Sequence, residues 1–556
     1  MRQTVLAAGL AAFLGLATLL AGAPCTARTP QAGTSVIQLT VLGQYQSDIF
    51  DKSSAEIVSY DPDSKRAFVI NAASGEVDVL GLADPTLPKL LFTIDVSDLG
   101  ADANSVAVKN GVVAVAVEAA VRTDNGYAAF YDTDGKRLSV VQVGALPDAL
   151  TFSPDGRFVL VANEGEPNEE YTIDPEGSVS IIDLSAGPAN VSQGDVRTAD
   201  FRAFNGREDE LREQGVRIFG PGASAAQDME PEWVEVSADN KTAYVSLQEN
   251  NAIAVVDIAT ATVSNIFPLG FKDWSAGGQW SGKGFDASDR DGKINIRHWP
   301  VRGIYQPDTI RIYETNGKTY LITANEGDAR DYKGWTEEFR IKDLRLSPSA
   351  FPNAEELQKD ENLGRLRVTS TLGVSNGCSP SDKSTNVKAD CEFSALYAYG
   401  ARSMSIFLVT ENGLELVYDS GSQMEETTAA MFPADFNSNH RENQSFDSRS
   451  DDKGPEPEGI ALSEVNGRMY AFVGLERVGG VMVYDITEPA NTTFVHYTNN
   501  RDFSLPNTPE ALTTTDLGAE GLHFIPAMES PDPEGRAILL VGNEVSGTTT
   551  IFAVHP

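Results

Sequence analysis

Short apolar runs alternate with turns along almost the whole chain, and they recur in one order. Each copy opens with an acidic residue, and all but the first end their second apolar run with a glutamate, as where Phe158–Asn163 precedes Glu164. Repetition at intervals of tens of residues indicates a solenoid or a propeller, and about four short strands in each copy favour propeller blades. The pattern therefore predicts an all-β protein.

Seven copies of this pattern can be counted, and the last has only three strands after Glu520. The apolar segment 36–45 lies before the first copy and belongs to none of the blades. We expect it to supply the missing outer strand, because joining the two chain ends removes exposed sheet edges. The predicted fold is a seven-bladed β-propeller closed by the N-terminal strand.

The repeated acids are predicted to meet at one mouth of the central channel. The start of a blade's first strand and the end of its antiparallel second strand lie on the same face. Glu458 should therefore neighbour Glu476, and Asp308 should neighbour Glu326. Such a concentration of like charge requires bound cations, arginine partners or protonation. Four long insertions are expected on this face: 203–229, 270–305, 327–394 and 427–455.

Composition and the chain start narrow the class of protein. The 556 residues carry 80 acids against 43 bases, a net charge of −37, which disfavours nucleic acid and anionic membranes as partners. Residues 1–27 are predicted to be a signal peptide, which leaves 28–556 as one secreted or periplasmic propeller domain. No second apolar run is long enough to span a bilayer.

The cysteines agree with an oxidising compartment. Cys25 would leave with the signal peptide, although lipidation at this residue is the alternative. Cys378 and Cys391 flank a polar loop and are predicted to form a disulfide; two unpaired thiols are the alternative.

Several ordered motifs resemble a known family. They are Asn163-Glu164-Gly165-Glu166-Pro167, Phe219-Gly220-Pro221-Gly222, Asp291-Gly292-Lys293-Ile294-Asn295-Ile296, Asn325-Glu326-Gly327-Asp328 and Gly454-Pro455-Glu456-Pro457-Glu458-Gly459. The chain resembles the choice-of-anchor I family, which includes mesenchyme-specific cell-surface glycoproteins and proteins described as atypical bacterial alkaline phosphatases. The stretch from Pro457 to Arg477 is also similar to the channel motifs of β-propeller phytases. These resemblances imply either a phosphoesterase or a surface protein.

Carboxylate oxygens are the ligands that Ca²⁺ prefers, so calcium is the predicted metal, with another divalent metal as the alternative. The predicted ligands are Glu164, Asp308, Glu326, Glu458, Glu476, Glu520 and Glu544. Arg330 and Arg477 are predicted to contact an anionic substrate, and neutralising neighbouring acids is their alternative role. Zinc is disfavoured because the five histidines include no spaced pair, and His298 and His523 alone lie near proposed site elements. Segment 286–295 is a partial EF-hand-like match and a second calcium candidate.

Three functions fit these observations. The first is a metal-dependent phosphoesterase acting on a small phosphorylated substrate. The second is a calcium-binding surface or adhesion protein without turnover, which would bind a cell-surface component. In the third, the acids only tie blades together, but this role needs one acid per blade rather than a pair. Whether the chain is an enzyme stays open, and a monomer is expected.

Overall fold

Seven antiparallel sheets of four strands dominate the computed structural model, which describes residues 37–378 and 387–556. We number them sheet 1 to sheet 7 along the chain. Their strands are, for sheet 1, Val58–Asp61, Arg66–Asn71, Glu76–Gly81 and Lys89–Ile94; sheet 2, Ala103–Lys109, Val112–Val117, Asn125–Asp132 and Arg137–Ala145; sheet 3, Pro147–Phe152, Phe158–Asn163, Ser178–Asp183 and Val196–Asp200; sheet 4, Pro231–Val236, Thr242–Leu247, Ala252–Asp257 and Thr262–Pro268; sheet 5, Ile310–Thr315, Lys318–Asn325, Ser403–Thr410 and Gly413–Asp419; sheet 6, Pro457–Val465, Arg468–Leu475, Val481–Asp485 and Thr493–Thr498; sheet 7, Ala519–Ile525, Ala537–Asn543, Thr548–His555 and Gln38–Gln46. The prediction of an all-β protein is confirmed.

The sheets meet through their first strands. The first strand of each sheet contacts the first strand of the next, and that of sheet 7 contacts that of sheet 1. Antiparallel four-stranded sheets repeated around a centre are the arrangement of a β-propeller. The first strands therefore surround the centre of the molecule.

The N-terminal strand Gln38–Gln46 belongs to sheet 7. It pairs antiparallel with Thr548–His555, so that Leu39 lies opposite Val554 and Tyr45 opposite Thr549. This strand lies where segment 36–45 was expected, and sheet 7 combines strands from both ends of the described chain. The predicted signal peptide, 1–27, lies outside the described residues.

The second strands are buried on both faces, which explains their nearly continuous apolar sequences. Every residue of Phe158–Asn163 is buried, because one face packs toward sheet 2 and the other toward sheet 4. Burial of apolar area at about 25 cal/mol per Å² is the main stabilising contribution here. Acidic residues such as Glu118, Glu164 and Glu326 directly follow these second strands and line a central cavity.

The long insertions have a core of their own. Segments 270–305 and 327–394 share a cluster that contains Trp274, Phe285 and Phe393. The small strands in and next to these insertions are Phe271–Asp273, Arg302–Ile304, Asp331–Tyr332, Trp335–Thr336, Glu338–Arg340, Arg345–Leu346, Arg367–Thr369, Glu392–Phe393 and Tyr397–Ala398. This packing holds the two insertions against each other.

Helices are short. The α-helices are Glu208–Gln214, Ala225–Asp228, Ala354–Leu357, Val387–Asp390, Gln423–Met431 and Pro509–Leu512, and the 3₁₀ turns are Pro188–Asn190, Gln193–Asp195, Arg202–Phe204, Ile341–Asp343 and Pro489–Asn491. Within the described ranges, no helix combines the length and the apolar character needed to cross a bilayer. The predicted disulfide between Cys378 and Cys391 is present and anchors the 327–394 insertion.

Candidate metal centre

A β-bulge near the start of the first strand positions the opening acids. In sheet 6, Pro457 pairs with Leu475 and Ile460 with Val473, so Glu458 lies in the segment with an extra residue. The same irregularity surrounds the opening acids of three other sheets, namely Asp148, Glu232 and Glu520. A bulge frees a residue from the ladder and redirects its side chain. The local backbone thus places a carboxylate at the centre.

These acids line a cavity of about 380 Å³. The lining carboxylates are Glu56, Asp102, Glu118, Asp148, Glu164, Glu232, Asp308, Glu326, Glu458 and Glu520. Five of the seven predicted ligands are among them, and the other two, Glu476 and Glu544, adjoin the cavity through close contacts with its lining acids. The structure therefore brings together residues that are hundreds of positions apart.

Three groups of side chains are close enough to share an ion. We name them the Glu458 group (Glu326, Glu458, Glu476), the His440 group (His440, Glu476, Glu544) and the Glu520 group (Glu56, Glu520, Glu544). In each group, one ligand atom from every residue lies within 4.8 Å of the others. Glu476 and Glu544 each belong to two groups, so the three positions form a connected series.

The cavity acids strongly disfavour full ionisation. Burial, then repulsion from Glu544, raises the pKa of Glu56 to about 8. Burial also raises the pKa of Glu326 to about 8, although Lys453 opposes the shift. The pKa values of Glu458 and Glu520 lie well above the usual range because of burial and neighbouring carboxylates. Protons or cations must therefore neutralise this cavity at neutral pH.

Three basic side chains beside the cavity converge on one buried acid, Glu456, whereas Arg122, in the cavity lining, pairs with Glu166. It forms ion pairs with Arg449 at 2.6 Å, with Arg477 at 2.9 Å and with Lys453 at 3.1 Å. Burial raises its pKa, but these cations outweigh burial and hold the pKa well below the usual value. Two of these bases also reach acids of the site, since Lys453 pairs with Glu326 and Arg477 pairs with Glu476.

The Glu520 group has the least compensation. Within the described ranges, neither Glu56 nor Glu520 forms an ion pair, and Glu544 has only His440 at 3.6 Å. Ser53 donates a hydrogen bond to Glu544 over 3.0 Å. By contrast, the Glu458 group receives Lys453, which ion-pairs with Glu326 at 2.5 Å.

His440 is a site residue that the sequence analysis missed. Its Nδ1 lies 3.0 Å from Glu476 Oε1, and burial lowers the pKa of its imidazole despite that carboxylate. It comes from the 427–455 insertion and not from a repeated strand, so the repeat gave no signal for it. The statement that only His298 and His523 lie near the site was wrong.

The two predicted substrate-binding arginines already hold acids. Arg330 is buried, with its Nη1 2.5 Å from Asp228 Oδ1 and its Nε donating to Glu230 over 2.9 Å. Arg477 forms ion pairs with Glu456 and with Glu476. These contacts are those of the neutralising role that was considered as the alternative, and contact with a substrate stays a prediction.

Two predicted ligands line the cavity without joining any of the three groups of described residues. Burial, followed by repulsion from Glu166 and Asp148, raises the pKa of Glu164 well above its usual value. Asp308 lies close enough to Glu458 for a side-chain hydrogen bond, so these two carboxyls can share a proton. Their roles as ligands stay predictions.

The EF-hand-like interpretation of segment 286–295 needs correction in one respect. Asp289 is held by Arg365, whose Nη2 donates to Asp289 Oδ2 over 3.1 Å. It is therefore committed to an ion pair. Asp286 lies before the first position of the EF-hand-like match. It is fully buried and accepts a hydrogen bond from the backbone amide of Asn295 over 2.5 Å.

The fold and the site together define the class of this protein: an all-β protein with a central cavity lined by carboxylates. The model of the choice-of-anchor I domain matches residues 56–489, and the chain belongs to that family. It is 30% identical over 207 residues to Gigasin-3a of Magallana gigas, which covers 36% of this chain and 67% of that protein. It is 28% identical over 341 residues to the mesenchyme-specific cell surface glycoprotein of Strongylocentrotus purpuratus. That match covers 54% of this chain but only 41% of the relative's length.

The solved structures that match the chain are distant in sequence. Kuenenia stuttgartiensis hydrazine synthase has a TM-score of 0.44 at 13% identity, covering 90% of this chain and 96% of that one. A streptogramin B lyase has a TM-score of 0.43 at 8% identity, covering 94% of this chain and 98% of that one.

Proposed function

We propose that this chain is an extracellular protein whose central cavity binds divalent cations, with Ca²⁺ the best match to the ligands. The observation that carries the proposal is the Glu520 group. Its three carboxylates lie within 4.8 Å of one another, and two of them lack an ion pair with any described residue. Ca²⁺ takes six to eight oxygen ligands, so three carboxylates would leave positions for water or for a partner.

The proposal extends to the architecture and the location. The seven sheets are the blades of one ring, and Gln38–Gln46 completes the seventh blade. The acidic chain, its disulfide and a relative named as a cell surface glycoprotein support a secreted or surface location. A cell-surface component is the proposed partner, which would reach the cation through the open positions.

A metal-dependent phosphoesterase is the second candidate. It is favoured by Glu476 and Glu544, each of which belongs to two groups and would bridge neighbouring ions. Adjacent ions joined by carboxylates are used in hydrolysis to hold both the attacking and the leaving oxygen of a phosphate. In this role Arg477, which pairs with Glu476, would contact the bound phosphate.

Calorimetric titration of chelator-treated protein with Ca²⁺ tests the first proposal. We expect saturable binding that Glu520→Gln weakens, because one of three charged ligands is lost. Glu337→Gln is the control, since Glu337 is a buried glutamate that pairs with Arg217 and lies outside the cavity lining. Absence of saturable Ca²⁺ binding by the wild-type chain would refute the proposal.

Turnover of p-nitrophenyl phosphate separates the two candidates. A phosphoesterase should lose activity on chelation and regain it when Ca²⁺ or another divalent cation is added. Glu476→Gln should reduce that activity more strongly than Glu337→Gln. Binding of Ca²⁺ without any metal-restored turnover would leave the surface protein as the function.

A further inference from the structure

A second cluster of buried oxygen atoms lies where segment 286–295 meets the 427–455 insertion. We define the loop site as Asp286, Asp291, Asn437 and Asp447. Asp286, Asn437 and Asp447 are each at most 2% exposed. None of these residues lines the central cavity, so the loop site is distinct from the three groups described above.

Shared hydrogen-bond partners bring these side chains together. The two oxygens of Glu425 accept the backbone amide of Asp286 over 2.9 Å and the side-chain amide of Asn437 over 3.1 Å. Asn437 also donates to Ser450 Oγ over 2.9 Å, and Ser450 donates in turn to Asp447 Oδ1 over 2.5 Å. Asp286, Asn437 and Asp447 are therefore joined through only two intermediaries.

Several buried oxygens of the cluster have no partner. Asp447 Oδ2 and Asn437 Oδ1 accept no hydrogen bond from any described residue. The hydroxyls of Ser438 and Ser448 in the same segment are also unpartnered among the described residues. An unpaired buried polar atom costs about 1–3 kcal/mol, and four in one short segment call for a ligand.

The charge at the loop site is negative and largely uncompensated. Arg402 is the neighbouring cation, and it is held by Glu425 at 2.6 Å and by the backbone oxygen of Asp286 at 2.7 Å. Within the described ranges, Asp286, Asp291 and Asp447 form no ion pair. Burial, followed by repulsion from Asp286, raises the pKa of Asp447 to about 8.

The backbone is shaped to present these oxygens. Asn437 and Asp447 adopt left-handed conformations, with φ of 44° and 67°. The amide of Asp447 donates to the carbonyl of Phe436 over 2.8 Å, which holds the two ends of the segment together. Asp291 accepts from Asn295 over 2.8 Å and so closes segment 286–295 on the other side.

We propose that the loop site binds one Ca²⁺ ion, with Asp286, Asp447 and the Asn437 carbonyl as ligands and Asp291 at its edge. Carboxylate, amide and hydroxyl oxygens without nitrogen or sulfur ligands suit a hard cation. The ion joins the 270–305 and 427–455 insertions, and His440 and Lys453 of the latter reach the central cavity. Its role is therefore to fix the wall of that cavity.

The number of Ca²⁺ ions bound per chain tests this proposal. Full-length protein is treated with chelator, equilibrated with Ca²⁺ and analysed by elemental mass spectrometry after gel filtration. Asp447→Asn should bind one ion fewer than wild type, whereas Glu520→Gln should retain the loop ion. Asp78→Asn is the control, because Asp78 is a buried carboxylate of sheet 1 bonded to Asn71. An unchanged ion count in Asp447→Asn would overturn the proposal.

Hydrogen exchange on the wild-type chain gives a test that does not depend on folding of a variant. Adding Ca²⁺ should slow amide exchange at least 10-fold in both segment 286–295 and segment 437–452. The same slowing should occur in Glu520→Gln, which separates this site from the central cavity. Equal exchange with and without Ca²⁺ in both segments would show that the unpaired oxygens hold water, and the proposal would fail.

Discussion

Replacing Glu520 by glutamine should stabilise the ion-free protein while weakening its Ca²⁺ binding. Glu520 faces Glu56 and Glu544 within 4.8 Å. At that distance, with an effective dielectric constant of about 20, each ionised pair costs about 3.5 kcal/mol, or about 7 kcal/mol for both. Its pKa lies well above the usual range, so proton uptake already relieves part of this repulsion. We therefore expect a net gain of about 1–3 kcal/mol at pH 8.

The loss of affinity should be at least 10- to 100-fold, because even changes behind the direct ligands of a metal have effects of that order. Urea unfolding in chelator gives the stability, and calorimetric titration gives the affinity. Glu337→Gln should do the opposite: it leaves Arg217 uncompensated, costs about 3–5 kcal/mol and keeps the Ca²⁺ affinity. If Glu520→Gln were less stable than wild type and bound Ca²⁺ with unchanged affinity, Glu520 would serve to connect neighbouring blades and the reasoning would be wrong.

Three further perturbations have defined outcomes. The pKa values of Glu56 and Glu326 are raised to about 8, so the folded state holds protons that the unfolded chain releases above about 4.5. Ion-free protein should therefore lose stability as pH rises from about 5 to 8, and added Ca²⁺ should restore it. Urea unfolding across this pH range measures the loss; a constant free energy of unfolding would show that the acids are already neutralised. Arg330→Met should cost about 3–5 kcal/mol by leaving Asp228 and Glu230 unpaired, whereas a variant of normal stability that lacks turnover would favour substrate contact. Reducing the disulfide, whose cysteines are 13 residues apart, should cost about 3 kcal/mol, and an unchanged melting temperature would argue against that contribution.

The repeated strands could be predicted from sequence because their pattern is local. In sheet 3 the apolar pattern predicts a third strand over Ser178–Asp183, and the structure has a strand with these bounds. The same pattern predicts a fourth strand over 196–204, but that strand ends at Asp200 because a 3₁₀ turn, Arg202–Phe204, follows. Apolar residues in that turn pack like strand residues, and alternation alone does not separate the two.

The charge distribution of the site could not be predicted in the same way. Glu456 and Glu458 are two residues apart, yet Glu456 receives three basic side chains while Glu458 faces the cavity. Glu249 ends its strand as the repeat requires, but it does not line the cavity. These differences, like the position of His440, depend on the paths of insertions, for which the repeat supplies no rule.

The location of bound ions in a crystal is the most direct test of the central claim. Crystals of chelator-treated protein should be soaked with Tb³⁺, which occupies Ca²⁺ sites and scatters anomalously. We expect an anomalous peak between Glu56, Glu520 and Glu544, and excess Ca²⁺ should displace it. Tb³⁺ peaks on the protein surface with none in the cavity would contradict the proposed cation site, because the cavity acids would then be neutralised by protons alone.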